Sequence, residues 1–157
     1  MERVAKRMAG MQKSVIRTMT DRCAAAGGIN LGQGLCQVDP PGSLLELGQS
    51  QFADLNHSYT DERGDADFLH AVAAKLARDN GIHADPGSQI VTCTGVTGAL
   101  NATLMALFNP GDGILLIEPF YGYHLSAIRM MGLVPEPVHL TGPDFRLSED
   151  LLRAAVT

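Results

Sequence analysis

The sequence is poor in the residues that build disulfide, metal and membrane proteins. It has no tryptophan, only 5% aromatic residues, and three cysteines, Cys23, Cys36 and Cys93, without a CxxC pair. Scattered cysteines fit neither a disulfide framework nor a zinc site, and the five histidines share no metal-ligand spacing. No apolar run approaches the roughly 18 residues of a membrane span. We therefore expect no metal site, no membrane partner and a reducing, cytoplasmic location.

Charge is unevenly spread along the chain. The net charge of -5 has the wrong sign for a general nucleic-acid binder, although the first 22 residues carry +4 and the remaining 135 carry -9. This basic start has no apolar core typical of a secretory signal. It fits either a mitochondrial transit peptide or an N-terminal helix that packs against the rest of the protein. Its acidic residues Glu2 and Asp21 favour the helix, because transit peptides are poor in acidic residues. The prediction of this helix depends on apolar residues at helical spacing: Val4, Met8, Met11, Val15 and Met19.

Helical and strand patterns alternate along the 157 residues, enough for one domain. A brief strand is predicted at 29–34, and a helix at 43–55 with Ser43 as its N-cap. Later helices are predicted at 65–80, 98–108, 123–131 and 148–156, and strands at 89–94, 114–117 and 134–140. Two prolines, Pro135 and Pro137, indicate that the last strand is an edge strand or contains a bulge. This order predicts an α/β fold with a mostly parallel sheet.

A glycine-flanked turn is the most informative stretch. After the predicted strand 89–94, Gly95–Val96–Thr97–Gly98 leads into a helix. Free N–H groups at a helix start favour an anion, and the Thr97 hydroxyl adds a donor. The stretch lacks the glycine pattern of a dinucleotide fingerprint and the lysine of a P-loop, so ATP and NAD are not supported. It indicates either a phosphate site or a plain tight turn. Cys93, inside the predicted strand, is expected to be a small core residue.

An aromatic cluster follows the next strand. Residues 118–123 read EPFYGY, directly after the apolar strand 114–117. Ligands bind at the carboxyl ends of strands in open α/β sheets, and an aromatic ring at that place can stack on a flat cofactor. The alternative is a hydrophobic cap on the helix that follows.

Four stretches occur in the order and approximate spacing of a known family: INLGQGLCQVDPP, HSYTDERGDADFLHAVA, TCTGVTGAL and NPGDGILLIEPFYGYH. Together they resemble the class I/II aminotransferases, which are pyridoxal-phosphate enzymes of fold type I, from about Ser14 onward. The resemblance implies part of the large domain, with three αβα layers and a mostly parallel sheet. It implies an N-terminal helix and linker on the small-domain side at 1–28, and the first portion of the cofactor-binding domain at 29–157.

The resemblance also implies roles for individual residues. Tyr121 matches the aromatic residue that stacks on the pyridine ring, and Tyr59 matches the tyrosine that reaches the phosphate of the neighbouring subunit in a homodimer. Gly34 matches the glycine beside the substrate carboxylate. The implied cofactor is pyridoxal 5'-phosphate, and the implied substrates are an amino acid and a 2-oxo acid. Three positions match those that hold the cofactor phosphate: Gly95, Val96 and Thr97.

The Schiff-base lysine of this family finds no match in the sequence. Lys6, Lys13 and Lys75 are the only lysines, and none lies in the family's lysine motif. That lysine, the aspartate that pairs with the pyridine nitrogen and the arginine that binds the substrate carboxylate would lie beyond Thr157. We therefore expect an incomplete fragment that is inactive alone, because the reaction needs a desolvated amine aimed at the cofactor.

Three hypotheses remain open from the sequence. The chain is part of an active aminotransferase of amino acid metabolism, or a non-catalytic remnant that binds a phosphate ligand or a protein partner. The third is another fold type I enzyme, such as a carbon–sulfur lyase or a cyclopropane-forming synthase. The residues that select among substrates are not in the matched motifs.

Overall fold

The structure is a computed structural model that describes residues 4–8, 11, 13–55, 57–140 and 142–156. Contacts divide the chain into two units. The first unit comprises Met1–Gly34 and Val96–Thr157, and the second comprises Leu35–Gly95. The division predicted at residue 28 stays a prediction. In chain order the elements are α1 (Val15–Ala25), α2 (Gly42–Asp54), α3 (Ala66–Lys75), α4 (Gly95–Leu107), β1 (Gly113–Glu118), α5 (Gly122–Met130), β2 (Val134–His139) and α6 (Glu149–Ala155), with a 3₁₀ turn at Lys6–Met8 and a π-helical turn at Leu76–Asn80.

The sheet of the first unit is parallel, as predicted. β1 pairs with β2 from Gly113 opposite Val134 to Glu118 opposite His139. The Val134 N–H donates to a carbonyl just before β1 at 2.9 Å, and the Leu140 N–H donates to a carbonyl at the end of β1 at 3.0 Å. Successive N–H groups along a strand point to opposite sides, so the nitrogens of Pro135 and Pro137 face away from β1. The prolines therefore remove no hydrogen bond between β2 and β1. On the other side of β2 they leave two positions without an N–H donor, which suits an edge strand.

Apolar residues of α4, β1 and α5 form the core of the first unit. Burial of these side chains supplies the hydrophobic free energy that holds the two helices on the sheet. Ile128 is the most deeply buried among them, with 2% of its surface exposed. In the second unit, Leu69 of α3 is 4% exposed. The core cluster of the first unit contains Leu104, Leu116, Ala127, Ile128 and Leu133.

Two of the helices predicted from the sequence begin at side-chain caps in the structure. Asp65 caps α3, because its carboxylate accepts the Phe68 N–H at 3.0 Å, and Gly81 stops the π-helical turn that continues it, with a φ of 66°. Ser148 caps α6, since its hydroxyl accepts the Leu151 N–H at 3.2 Å. A helix cap of this kind needs only an acceptor side chain three residues before a free N–H and no distant partner. The start of such a helix can therefore be predicted from neighbouring residues in the sequence.

The predicted strand 89–94 is wrong. Residues 86–89 form a turn, and 90–93 have no regular structure. A β-branched segment becomes a strand only when a neighbouring strand satisfies its N–H and C=O groups. In the described residues no strand pairs with this segment, and its Thr92 N–H donates instead to the Arg63 carbonyl of a loop at 2.8 Å. The described sheet therefore has two strands, β1 and β2. Cys93 is exposed, so its prediction as a core residue is also wrong.

Three predictions near the N-terminus are also corrected. The strand predicted at 29–34 is a loop, because the Asn30 side chain accepts the Gly32 N–H at 3.0 Å and turns the chain. Among the described residues, the helix predicted from the apolar stripe begins at Val15, and Lys6–Met8 form a 3₁₀ turn. Part of that prediction (1–3, 9, 10 and 12) lies outside the described residues. Finally, Ser43 does not cap α2, because the helix begins at Gly42, preceded by Pro41.

Candidate functional site

A cavity of about 320 Å³ lies within the first unit. It is bounded by α1, by the glycine-rich loop that follows α1, and by the start of α5. The cavity brings Gly34 and Tyr121 together, two residues that the sequence analysis assigned to substrate and cofactor. Small-molecule sites commonly have volumes of about 300–1,000 Å³, so this cavity suits a small ligand or part of a larger one. Its lining residues are Ile16, Arg17, Gly32, Gln33, Gly34, Tyr121 and Tyr123.

Hydrogen bonds fix the glycine-rich loop against α1. The Thr20 hydroxyl accepts a hydrogen bond from the Asn30 amide at 3.1 Å, and it shares its proton between the Ile16 carbonyl at 3.0 Å and Gln33 Oε1 at 3.3 Å. This network ties the loop to the helix just before Gly34. A Cβ added at Gly34 would meet no atom within 4 Å, so the glycine leaves open space on this wall of the cavity.

Two tyrosines, Tyr121 and Tyr123, also line the cavity. Tyr121 precedes α5, and its ring centroid lies 5.1 Å from that of Tyr123 and 5.4 Å from that of His124. The contact with His124 is edge-on, at an interplanar angle of 80°, which is a favourable aromatic geometry. Tyr121 remains 51% exposed. Its neighbours therefore orient the ring and leave part of its surface free to contact a ligand.

The proposed phosphate residues lie in the first turn of α4. That helix begins at Gly95, three residues before the predicted start, so Val96 and Thr97 belong to its first turn. First-turn N–H groups have no partner within the helix, and both side chains are exposed. Gly95 has a φ of 66°, which favours glycine, and its own N–H donates to the Cys93 carbonyl at 2.8 Å. Gly95 thus shapes the turn, while Val96 and Thr97 carry donors that suit an anion.

Tyr59 lies in the second unit and is fully exposed, with a relative accessibility of 101%. Its side chain has no hydrogen-bond or ring partner among the described residues. An unpartnered phenol on the surface is available to a ligand or to another chain. Its role at a neighbouring subunit stays a prediction.

None of the three lysines is among the residues that line the cavity. Lys13 pairs with Asp21, and Lys75 donates to the Asn80 side chain at 2.8 Å in the second unit. Both side chains sit at exposed positions. An exposed, charged amine is a poor nucleophile, so neither lysine is suited to covalent chemistry.

Arg17 was missed by the sequence analysis. It lines the cavity, yet it belongs to no motif, and its only sequence signal is its place in the basic N-terminal segment. Ile16, Gln33 and Tyr123 line the cavity as well. The loop and α5 are more than 80 residues apart in sequence, so their meeting with α1 depends on the tertiary fold rather than on any local pattern.

Comparison with known proteins decides the family. The family model for "Aminotransferase class I and II" matches residues 26–157, which is most of the chain. The chain belongs to the class I and II aminotransferase family. Proteins of this family are generally dependent on pyridoxal phosphate and act on amino acids and oxo acids. The resemblance found in the four sequence motifs is thereby confirmed.

Solved structures of this family share the fold. The N-succinyldiaminopimelate aminotransferase of Mycobacterium tuberculosis superimposes with a TM-score of 0.87 at 32% identity, covering 98% of this chain and 41% of that one. The Escherichia coli protein YbdL, described as having a methionine aminotransferase function, gives a TM-score of 0.87 at 26% identity, covering 98% and 40%. The predicted fold class, an α/β part of a fold type I aminotransferase, is confirmed.

Curated relatives are matched over part of their length. Kynurenine–oxoglutarate transaminase 3 of Mus musculus is 30% identical over 132 residues, covering 83% of this chain and 29% of that protein. The chain thus spans about two fifths or less of the proteins compared here. Among the described residues, no helix is long and apolar enough to cross a membrane. No group of three or more potential metal ligands is found in the same part of the chain.

Proposed function

We propose that the protein to which this chain belongs is a pyridoxal-phosphate-dependent aminotransferase that moves an amino group from an amino acid to a 2-oxo acid. The observation that carries the proposal is the cavity where Gly34 and Tyr121 meet, in a chain of the aminotransferase family. The sequence assigned these two residues separately, one to the substrate carboxylate and one to the cofactor ring. Their common cavity supports both assignments.

The residues present fit pyridoxal phosphate. The N–H groups of Val96 and Thr97 and the Thr97 hydroxyl supply donors for its phosphate, in the first turn of a 13-residue helix whose dipole favours an anion. The half-exposed ring of Tyr121 suits a flat pyridine ring. When bound, the cofactor supplies the electron sink for amino-group transfer. This chain's residues then anchor the phosphate, orient the ring and hold the substrate beside Gly34.

A homodimer is part of the proposal. Tyr59 is fully exposed and has no partner among the described residues, which suits a side chain that reaches the phosphate in a neighbouring subunit. The amine that binds the cofactor covalently is not assigned to this chain, because Lys13 and Lys75 are engaged elsewhere and no lysine lines the cavity. A cytoplasmic location is proposed on the same grounds as in the sequence analysis.

Amino-group transfer in a reconstituted protein tests the proposed activity. The chain is co-expressed with the remaining part of the Mycobacterium tuberculosis relative, and the purified complex is assayed with amino-acid donors and 2-oxoglutarate. We expect transfer that requires the 2-oxo acid acceptor. Release of ammonia or a sulfur compound without an acceptor would favour the lyase hypothesis. An assembled complex that binds the cofactor without any turnover would favour the non-catalytic remnant.

A further inference from the structure

Asn80 differs from the other asparagines of the chain in the residue that follows it. The sequence has five asparagines, and Asn80 is the one that precedes a glycine. The main-chain nitrogen of the next residue can attack an asparagine side-chain amide, and a glycine there has no side chain to hinder the approach. Asn109 precedes a proline, whose nitrogen has no hydrogen to give up. The sequence therefore favours this reaction at Asn80. The other asparagines are Asn30, Asn56, Asn101 and Asn109.

One carbonyl holds the main-chain nitrogen of Gly81 at the end of the π-helical turn. The Gly81 N–H donates to the Leu76 carbonyl, and the Ile82 N–H donates to the same oxygen at 3.1 Å. Asn80 and Gly81 are both exposed. Helix ends open locally at a lower free-energy cost than a buried core. Opening of this end frees the Gly81 nitrogen to approach the Asn80 amide.

Lys75 holds the Asn80 side chain in the other direction. Its Nζ donates to Asn80 Oδ1 at 2.8 Å, across five positions in the sequence. Side chains on a helix tilt toward its N-terminus, and Lys75 lies on that side of Asn80, whereas Gly81 lies on the opposite side. The hydrogen bond therefore keeps the Asn80 amide away from the Gly81 nitrogen until this contact opens.

We propose that Asn80 is a site of spontaneous deamidation, and that the hydrogen bond from Lys75 slows the reaction in the folded chain. The Gly81 nitrogen forms a bond to Cγ of Asn80, the bond from Cγ to Nδ2 breaks, and the Gly81 N–H proton leaves with that nitrogen as ammonia. Water then opens the cyclic imide at either carbonyl, which leaves aspartate or isoaspartate at position 80. Nothing is oxidised or reduced, and water is the one co-reactant.

Either product changes the end of this helix. A carboxylate replaces a neutral amide beside Asp79, at a helix C-terminus, where the helix dipole disfavours negative charge. Isoaspartate also lengthens the main chain just before Gly81, so the hydrogen bonds of Gly81 and Ile82 to the Leu76 carbonyl lose their register. The Ile82 amide should therefore exchange its hydrogen faster in the modified chain than in the unmodified one.

The test follows every asparagine in one sample. The purified 157-residue chain is incubated in neutral buffer made with heavy-oxygen water, and circular dichroism checks its helix content. Peptide mapping by mass spectrometry then measures the isotope in each new carboxyl group. We expect Asn80 to convert several times faster than any other asparagine, to a mixture of aspartate and isoaspartate. The measurement needs neither cofactor nor turnover, so its outcome is independent of the proposed function.

Substitutions at two lysines test the role of the hydrogen bond. Lys75→Met removes the donor and should speed the conversion of Asn80 about two- to tenfold, the scale of one hydrogen bond. Lys75→Arg can still donate to Asn80 Oδ1 and should stay near the wild-type rate. Lys13→Met is the matched control, because it removes the same charge from an exposed lysine that pairs with Asp21. It should leave the rate at Asn80 unchanged.

The same measurements in guanidinium chloride separate the fold from the local sequence. The contacts of Asn80 with Lys75 and of Gly81 with Leu76 are lost there, so Asn80 should react faster than in buffer, and Lys75→Met should match the wild type. The proposal is overturned if Asn80 converts no faster than the other asparagines in buffer, or if Lys75→Met has no more effect than Lys13→Met. It is equally overturned if Lys75→Met still differs from the wild type in denaturant.

Discussion

Thr92 holds the Arg63 carbonyl with two hydrogen bonds, one from its backbone N–H at 2.8 Å and one from its hydroxyl at 3.0 Å. This pair joins two loops of the second unit that are 29 residues apart in sequence. Gly64 lies between Arg63 and the start of α3, with a φ of 123°, and a Cβ there would come within 2.5 Å of the Thr92 hydroxyl. The contact is close because residue 64 has no side chain.

Gly64→Ala should destabilise the second unit by about 1–3 kcal/mol, because alanine strains the backbone at this φ and pushes against Thr92. Denaturant unfolding measures the change, and hydrogen exchange at the Thr92 amide locates it. Gly48→Ala is the matched control, since Gly48 lies within α2 with open space around it. That variant should be neutral or up to about 1 kcal/mol more stable. Equal effects of the two substitutions would contradict the account.

Ile128→Ala should be among the most destabilising changes in the first unit. The side chain is 2% exposed and lies in the core cluster, so its truncation should cost about 2–5 kcal/mol. Ile128→Val should cost about 0.5–1.5 kcal/mol. Leu107→Ala, at a position 70% exposed, should change the free energy of unfolding by less than about 0.5 kcal/mol. Thermal or denaturant unfolding of the three variants should give this order, and a cost at Leu107 equal to that at Ile128 would refute it.

The carboxylate of Asp85 should titrate below its ordinary range. The hydroxyl of Ser88 and the N–H of Gly87, the latter at 3.0 Å, donate to it and hold its pKa below 3.8. Because the folded-state pKa is lowered, the stabilisation is present above the ordinary pKa and is lost as the pH falls through the lowered value. Ser88→Ala should raise the pKa of Asp85, measured by NMR titration of its carboxyl group.

The matched control for that titration is Ser50→Ala. Ser50 donates to the Leu47 carbonyl at 2.9 Å and does not touch Asp85. Its substitution should leave the pKa of Asp85 where it is in the wild-type chain. A pKa of Asp85 that is the same with and without Ser88 would show that this hydroxyl is not the cause of the shift.

Incubation with pyridoxal phosphate and borohydride should label the lysines of this chain slowly and without preference. Lys75 is held by Asn80 and Lys13 by Asp21, and no lysine lines the cavity. Peptide mapping measures the label at each lysine. The control is Lys75→Arg, which removes the amine at position 75 and leaves the other lysines in place. Rapid, stoichiometric labelling of one lysine would instead identify a reactive amine within this chain.

Sequence patterns predicted the parts of the fold that depend on neighbours along the chain. Asp65 and Ser148 cap helices through hydrogen bonds three residues away, and the apolar run 114–117 forms the centre of β1. The strand predicted at 89–94 failed because strand formation depends on a distant partner, which local pattern does not reveal. At 29–34 the Asn30 side chain takes up a backbone N–H that a strand would use for its hydrogen bonds to a neighbouring strand.

The candidate site was predictable only in part, for a similar reason. Gly34 and Tyr121 came from motifs, and the structure puts both on one cavity. Arg17 came from no motif, because its place depends on how α1 packs beside a loop and a helix that are distant in sequence. The placement of Tyr59 at a subunit interface and of Thr97 at the phosphate remain predictions that binding experiments must test.

Pyridoxal-phosphate binding by the chain tests the central claim most directly. Titrations followed by absorbance compare the wild-type chain with Thr97→Val, which removes the hydroxyl in the first turn of α4, and with Thr103→Val, an exposed position on the same helix. Loss of one hydrogen bond to a charged group costs about 1.5–3 kcal/mol, so Thr97→Val should weaken binding about tenfold to a hundredfold, while Thr103→Val should not. Cofactor affinity that is the same in Thr97→Val and the wild-type chain would contradict the account.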